Sequence, residues 1–319
     1  MEYSFSLDTD SMEFISERFS QIVYDQYKNA KEDIYFERDF EKQSFFSKDE
    51  ALSSSLQLMG RTNILIHAVD TTTLPFLKEA KQTLMGFASR IVIVDMNNIP
   101  LSQTVMMLRN HDTFQKDIVS FVKNADLDMD DFKYWESGTP QQIKDFSRQL
   151  PAEDVVTMKL RQSAEDSLRL TSVYRGIPVP SLLFDSTGTK KIAALASYVV
   201  KALRAGQILV VDELDSSIHF KLTRSIVSMF NNELNDKAQL IFTAHDVSLM
   251  DCKKLFRKEQ IWFVHKDDDG VYLYSLASFT AEKGIRDTTD IIEKYKRGVL
   301  GAIPEPDMLK TLLQVKNGQ

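Results

Sequence analysis

The second half of the chain predicts an α/β fold built on a parallel sheet, on three observations. Strand and helix patterns alternate there with short connections, the signature of βαβ units. Ile208-Leu209-Val210-Val211 is an uninterrupted apolar run, as expected of a strand buried on both faces. Residues 188–204 place Ile192, Leu195, Ala196, Val199, Val200 and Leu203 at the i, i+3, i+4, i+7 spacing of an amphipathic helix.

Each element can be justified in chain order. Tyr3-Ser4-Phe5-Ser6-Leu7 and Asp33-Ile34-Tyr35-Phe36-Glu37 alternate like edge strands. A chain that opens at once on a strand leads us to expect that something stood before it. Residues 48–120 read mostly helical, with Leu74-Pro75 opening a helix that runs to about Ser89. Ile91-Val92-Ile93-Val94 then reads as a buried strand, and the polar segment 110–150 as helix plus linker. Gly206 stands where a helix C-terminal glycine belongs. After the 208–211 strand come a helix over 217–232 and a strand over 239–243, expected to lie parallel to 207–212. Ile261–Val264 and Val271–Tyr274 form a hairpin around Asp268-Asp269-Gly270, and the tail from Thr289 reads as helix, glycine turn and final helix after Pro306. The domain division expected from these patterns is 1–180, with strands, helical insertion and linker, and 181–319, the α/β core.

Composition narrows the function classes. The 319 residues carry a net charge of -7, from 39 Lys and Arg against 46 Asp and Glu. That balance argues against a wholly basic nucleic-acid coat and leaves only a local patch open. The single cysteine, Cys252, excludes an intrachain disulfide and fits a reducing compartment. No apolar stretch is long enough to span a membrane, and the N-terminus lacks the basic-then-apolar order of a signal peptide, so the expected location is the cytoplasm.

Three short motifs carry candidate chemistry. Asp212-Glu213 ends the most apolar strand, at the sheet end where open α/β folds bind ligands. Adjacent carboxylates there suit nucleotide hydrolysis, one holding Mg²⁺ and the other polarising water, although an acidic pair that merely caps the next helix fits equally. His245, in Thr243-Ala244-His245-Asp246, ends the neighbouring strand and can reach the same crevice; alone it would read as a cap. Ser186-Thr187-Gly188 begins the amphipathic helix, where Ser186 suits an N-cap and the exposed N–H groups suit an anion. Asp267-Asp268-Asp269 reads as a solvated turn, and His67, His111 and His265 lack metal-ligand spacing. No nuclease-like carboxylate or histidine cluster stands out.

Together, Phe184 to Lys191, Val210-Val211-Asp212-Glu213-Leu214-Asp215-Ser216-Ser217-Ile218-His219 and Thr243-Ala244-His245-Asp246 resemble ABC-type ATPases of the SMC/RecF/OLD group, most of all the bacterial AAA15/AAA21 proteins, many of them associated with phage defence. Arg257–Val264 and Arg297–Pro304 resemble that family's C-terminal ending. The likeness is strong over 180–305 and diffuse before it. It implies an ABC-type P-loop NTPase-like sheet with a helical lobe. It implies ATP and Mg²⁺ as cofactors: Asp212 for the metal, Glu213 as general base, His245 as switch histidine, Asp215 and Ser216 as D-loop. Ser186, Gly188 and Thr189 would form a signature motif that reaches a nucleotide across a dimer, with Lys190 and Lys191 beside it. His219 matches a family histidine and suits a structural role as well.

The chain departs from that pattern in one respect. None of its eleven glycines opens Gly-x-x-x-x-Gly-Lys-Ser/Thr, and no Gly-Lys pair occurs in the sequence. The Walker A strand–loop–helix is therefore expected to be missing, and ATP binding by the chain alone to be weak. An uncovered sheet edge or apolar surface is expected beside 207–212. The leading expectation is the C-terminal part, or a split subunit, of an ATPase working as a homodimer or with a complementing Walker A-bearing chain, and driving an effector protein or nucleic-acid complex. The alternative is a non-hydrolysing interaction subunit that kept the fold.

Overall fold

The structure is a computed structural model that describes residues 2–25, 27–65, 77–110, 113–125, 127–135, 166–267, 270–280, 285, 289–304 and 306–317. The expected helix start at Leu74-Pro75, the linker beyond 135, His67, His111 and the Asp268-Asp269 turn lie outside those residues. The chain forms two compact units, Met1–Arg90 and Ile91–Gln319, whereas the sequence reading drew its line at 180/181.

The first unit is an antiparallel meander, β1 (Glu2–Asp8), β2 (Glu13–Tyr24), β3 (Ala30–Asp39) and β4 (Ser44–Ser47), paired in that order, with helices α1 (Glu50–Leu58) and α2 (Lys78–Arg90). Phe19 and Phe36 from the sheet pack with Leu52, Leu56, Leu65 and Leu77. The longest strand, β2, is among those that alternation fails to reveal. A bulge at Phe19/Ser20 switches its inward face, and its inward position 17 is a glutamate. Glu17 is buried against Arg38, whose Nε and Nη2 donate to the carboxylate at 2.7 and 2.6 Å. Tyr3 Oη and the Leu65 N–H also donate to Glu17, and Arg38 Nη2 donates to the Asn63 carbonyl at 2.5 Å. Each buried charge thus has a full set of partners, without which its burial would cost several kcal/mol, on the order of 3–5 when one partner is removed.

The second unit holds a parallel sheet of order β10–β9–β5, made of β5 (Ile91–Asp95), β9 (Ile208–Asp212) and β10 (Gln239–Phe242). Both neighbours of β9 run parallel to it, Ile241 and Ile93 each facing Val210 in register. The expected parallel pairing of 207–212 with 238–243 is observed. The expected free edge beside 207–212 is not, because β9 is paired on both sides; Ile93 and Ile241 on the flanking strands are exposed instead, at 76% and 56%.

Between β5 and β9 the chain forms α3 (Ser102–Arg109), α4 (Gln115–Lys123), a small antiparallel sheet of β6 (Asp131–Tyr134), β7 (Leu170–Tyr174) and β8 (Ile177–Pro180), the single turn α5 (Ser181–Phe184) and the long helix α6 (Thr187–Ala205). The sequence suggested a one-sided amphipathic α6. It is buried on two sides. Ile192, Leu195 and Val199 pack with Leu209 and Val211 of the parallel sheet, whereas Ala193, Ala196 and Val200 pack with Val105, Leu108, Ile118 and Phe132. The alanines on the second side let α3 approach closely enough for the Thr104 hydroxyl to bond the Ala193 carbonyl at 2.9 Å. Gly206 closes α6 in the left-handed conformation at φ 65°, which glycine adopts without a Cβ penalty.

α7 (Phe220–Phe230) joins β9 to β10 and buries Ile226, Val227 and Phe230 on the core. The hairpin β11 (Trp262–Lys266) and β12 (Val271–Ser275) packs Phe263 with Ile291 of α8 (Ile291–Lys296) and with Leu300. Tyr274 Oη donates to the Leu300 carbonyl at 2.7 Å beside Gly301, where a Cβ would stand 2.8 Å from the Tyr274 hydroxyl oxygen. α9 (Met308–Asn317) ends the described chain. Among the described residues, no helix is long and apolar enough to cross a membrane.

Candidate functional site

The carboxyl ends of β9 and β10 meet because they are paired in register, and the loops leaving them interlock. Thr243, just past β10, is the fastener. Its N–H donates to the Val211 carbonyl, and its carbonyl accepts from Leu214 N–H, both at 3.0 Å. Its hydroxyl accepts from Glu213 N–H at 2.8 Å and donates to Asp212 Oδ1 at 2.5 Å. One threonine therefore fixes the backbone of Glu213 and the carboxylate of Asp212.

Glu213 has φ 52° and Ser217 φ 61°, left-handed conformations that are uncommon for residues with side chains. Such strain, on the order of 1–3 kcal/mol each, persists only where the surroundings over-determine it, and it clusters at functional loops. Here the over-determination comes from Thr243 on one side and Asn97 on the other. Asn97 Nδ2–H donates to Glu213 Oε2 at 2.8 Å. Glu213 Oε1 faces His245 Nε2 at 4.0 Å, beyond direct hydrogen-bond reach and wide enough for one bridging oxygen. The His245 side chain is 83% exposed, so it stands open to a ligand rather than tied down.

Asp215 organises the other strand's exit. Its Oδ2 accepts from the backbone N–H groups of His245 and Asp246 at 3.0 and 2.8 Å, which orients the histidine. Asp246 caps the short turn Val247–Leu249, and His219 caps α7 by accepting from Lys221 N–H at 3.3 Å. Both are structural positions.

The start of α6 forms the second part of the site. Ser186 is its N-cap, accepting from Thr189 N–H at 3.1 Å, and the Ser186 and Thr189 hydroxyls bond each other at 2.9 Å. Gly188 packs against the Asp215–Ser217 segment so tightly that a Cβ there would lie 2.7 Å from the Ser217 carbonyl oxygen. Lys191 reaches the same segment: its Nζ donates to Ser216 Oγ at 2.9 Å and to the Ser216 carbonyl at 3.2 Å. Asp212, Glu213, Asp215, Ser216 and His245 are thus joined through Thr243, Asn97 and backbone amides. Ser186, Gly188 and Thr189 sit at a helix end bonded to that loop rather than to the carboxylates.

Sequence reasoning passed over three contributors. Asn97 lies on the loop after β5, and its backbone is fixed by Asp95, whose Oδ1 accepts from Asn97 N–H at 2.8 Å. That amide, the Asn98 side chain and the charge of Lys191 hold the Asp95 carboxyl below its ordinary range. Asp185, one residue before the α6 cap, is buried and accepts from the hydroxyls of Ser172 (2.6 Å), Ser181 (2.5 Å) and Tyr174 (2.8 Å), which ties the small sheet to the start of α6. Burial first, and the bond to Asp185 second, push the Tyr174 hydroxyl up to about 12. Thr243 was visible in its motif but carried no role.

The residues present fit a Mg²⁺–nucleotide. Among the described residues, no group of three or more His, Cys, Asp or Glu side chains is arranged to hold a metal. Mg²⁺ needs no such group, since it binds through one or two carboxylates together with phosphate oxygens and water. Thr243 occupies Oδ1 of Asp212, and Oδ2 is the oxygen that could take an ion.

Comparison with curated proteins finds no match. Comparison with protein families matches residues 1–251 to the family described as "AAA domain, putative AbiEii toxin, Type IV TA system". The match covers the first compact unit and the second as far as Asp251, and takes in the ends of β9 and β10. The chain belongs to this AAA-domain family of P-loop NTPases.

Proposed function

We propose that the chain is one half of an ABC-type ATP-hydrolysing site, completed by a phosphate-binding loop from elsewhere. The observation that carries this reading is the convergence of Asp212 and Glu213, at the end of β9, with His245, at the end of the adjacent β10. Asp212 would hold the Mg²⁺ of a bound ATP, and the ion would neutralise charge on the phosphates. Glu213, with Oε2 held by Asn97, would accept the attacking water's proton on Oε1, and His245 would donate to the terminal phosphate. Ser186, Gly188 and Thr189 would present the N–H groups of α6 to a nucleotide held by a second protomer. The sequence has no Gly-Lys pair to cradle phosphates, which supports a complementing Walker A-bearing chain over a self-sufficient monomer or a homodimer of this chain alone. A role in bacterial phage defence, through an effector protein, belongs to the same proposal and rests on the resemblance of the sequence motifs.

A second reading, a non-hydrolysing interaction subunit, draws on exposed apolar residues. Ile93 and Ile241 flank β9, and α9 exposes Met308, Leu309, Leu312, Leu313 and Val315.

The test is to rebuild a complete site by fusing a strand, a Gly-x-x-x-x-Gly-Lys-Ser/Thr loop and a helix to the full chain. The fusion should hydrolyse Mg·ATP. Its Glu213→Gln variant should bind ATP and favour the dimer without turnover, because Gln keeps the shape but cannot take the proton. Undiminished turnover in that variant would remove Glu213 from the role of base. Binding without any turnover in the parent fusion would favour the second reading.

A further inference from the structure

We propose that Lys191, Ser216 and Asn97 form a relay that couples the first turns of α6 to the orientation of the Glu213 carboxylate. All four are in one unit, and the chain of contacts is continuous. Lys191 Nζ donates to Ser216 Oγ at 2.9 Å; Ser216 Oγ donates to Asn97 Oδ1 at 2.8 Å; Asn97 Nδ2 donates to Glu213 Oε2 at 2.8 Å.

The direction of these bonds is determined by charge at both ends. An ammonium can only donate, so Ser216 Oγ accepts from Lys191 and turns its own hydrogen to Asn97. The carboxylate can only accept, so Asn97 must present its NH₂ to Glu213 and its carbonyl to Ser216. The flipped amide would set two acceptors against each other at Glu213. Three hydrogen bonds therefore point the same way, from a cation to an anion, and each polarises the next. Asn97 is itself immobilised by Asp95, and Met96 N–H bonds the Asp212 carbonyl at 3.0 Å, so the middle of the relay cannot drift away from β9.

The same turns of α6 touch the loop a second time, through the Gly188–Ser217 approach. A displacement of the helix start would thus be felt at Ser216 and Ser217 together. Glu213, already in a left-handed backbone conformation, depends on Asn97 to keep Oε2 fixed and Oε1 towards His245. In this scheme Lys191, Ser216 and Asn97 are positioning residues: none is placed against a nucleotide, and each acts through the next. The inference rests on the proposed half-site, in which Glu213 is the reacting group, but its test reads the contacts themselves and needs no turnover.

That independence decides the experiment. Side-chain amide resonances and hydrogen exchange of Asn97 are measured by NMR in the ligand-free full chain. In Lys191→Met, Asn97 Nδ2–H exchange should accelerate by about tenfold, the equivalent of one charge-assisted hydrogen bond, and its resonances should shift. Lys191→Arg, which restores a cationic donor, should return exchange to within about threefold of wild type, a recovery that packing alone would not give. Ser216→Ala, which removes one oxygen and leaves the helix intact, should reproduce the Met result even if Lys191→Met does not fold. Unchanged Asn97 exchange in folded Lys191→Met or in Ser216→Ala would overturn the relay, as would an Arg variant as perturbed as Met. A rebuilt site that fails to hydrolyse ATP would instead strike the proposed function and leave these amide measurements standing.

Discussion

Glu17 in the N-terminal unit and Glu213 in the C-terminal unit are held in opposite ways, the first carboxylate by donors from Arg38, Tyr3 and Leu65, the second, among the described residues, by Asn97 alone. Glu17 is fully buried, bonded to a guanidinium, a phenol and a backbone N–H, with a cation that is itself 0% exposed. Glu213 is partly exposed; one oxygen is fixed by Asn97, and the other faces an open histidine at 4.0 Å across a strained loop. The first arrangement satisfies every charge and leaves nothing for a ligand. The second leaves Glu213 Oε1 and the His245 ring facing each other without a direct hydrogen bond. A carboxylate's role is thus readable from what its surroundings leave undone, and the contrast makes quantitative demands.

The largest effect is expected where burial is deepest. Arg38→Met should destabilise the N-terminal unit by about 3–5 kcal/mol, because it strands Glu17 without its counter-charge. Urea denaturation followed by tyrosine fluorescence and far-UV circular dichroism checks this, since both tryptophans, Trp135 and Trp262, lie in the C-terminal unit. A cost below about 1 kcal/mol would mean that Glu17 is not the structural charge its burial implies.

Asp185→Ala comes next, at about 2–3 kcal/mol, since three hydroxyls lose a common acceptor. The same denaturation series measures it, and Tyr174 should then titrate below the value of about 12 that burial and Asp185 impose. Gly188→Ala should cost about 1–2 kcal/mol, because its Cβ meets backbone rather than a flexible side-chain end. A drop in thermal midpoint, with the largest NMR shifts at Ser216 and Ser217, is the expected outcome.

Arg224 gives a smaller and pH-dependent effect. Its Nη2 donates to Asp251 Oδ2 at 2.9 Å, and that bond, followed by backbone amides of Lys253 and Lys254, holds the Asp251 carboxyl below its ordinary range. A carboxyl depressed in the folded state contributes stability that is complete above about pH 3.9, the unfolded value, and is lost as pH falls through the folded value. Asp251→Asn should therefore cost about 1 kcal/mol at neutral pH, and the difference from wild type should shrink in thermal melts taken progressively below pH 3.9. Smallest of all, Glu213→Gln should change stability by no more than about 0.5 kcal/mol, since Gln can still accept from Asn97. If Glu213→Gln cost as much as Arg38→Met, the contrast between the two carboxylates would collapse.

Parts of this organisation were legible in the sequence because they are local. The run from Ile208 to Val211 fixed the central strand, Asp212-Glu213 marked its end, and Gly206 marked the end of α6. What escaped depends on distant partners. Glu17 breaks the alternation of β2 and is intelligible only with Arg38 in place. Asn97 lies 116 residues from the glutamate it holds, with no motif of its own. In the small β6–β8 sheet, β6 is separated from its partner β7 by a long polar segment and gave no local signal, whereas β7 and β8 form a hairpin on the two-residue Arg175-Gly176 turn that the sequence analysis passed over. α6 read as amphipathic because alanine is ambiguous: Ala193 and Ala196 line a second buried side by being small, not by being strongly apolar.

The central claim is that Asp212, Glu213 and His245 form the nucleotide-facing half of a site whose phosphate loop is supplied from elsewhere. The most direct test is a titration of Mg·ATP into the purified full chain, followed by NMR at assigned backbone and histidine resonances. The expected result is weak binding in the millimolar range, with shifts confined to residues 212–216 and 243–246 and abolished by Asp212→Ala. Saturable binding at micromolar ATP, or shifts centred away from the ends of β9 and β10, would contradict it.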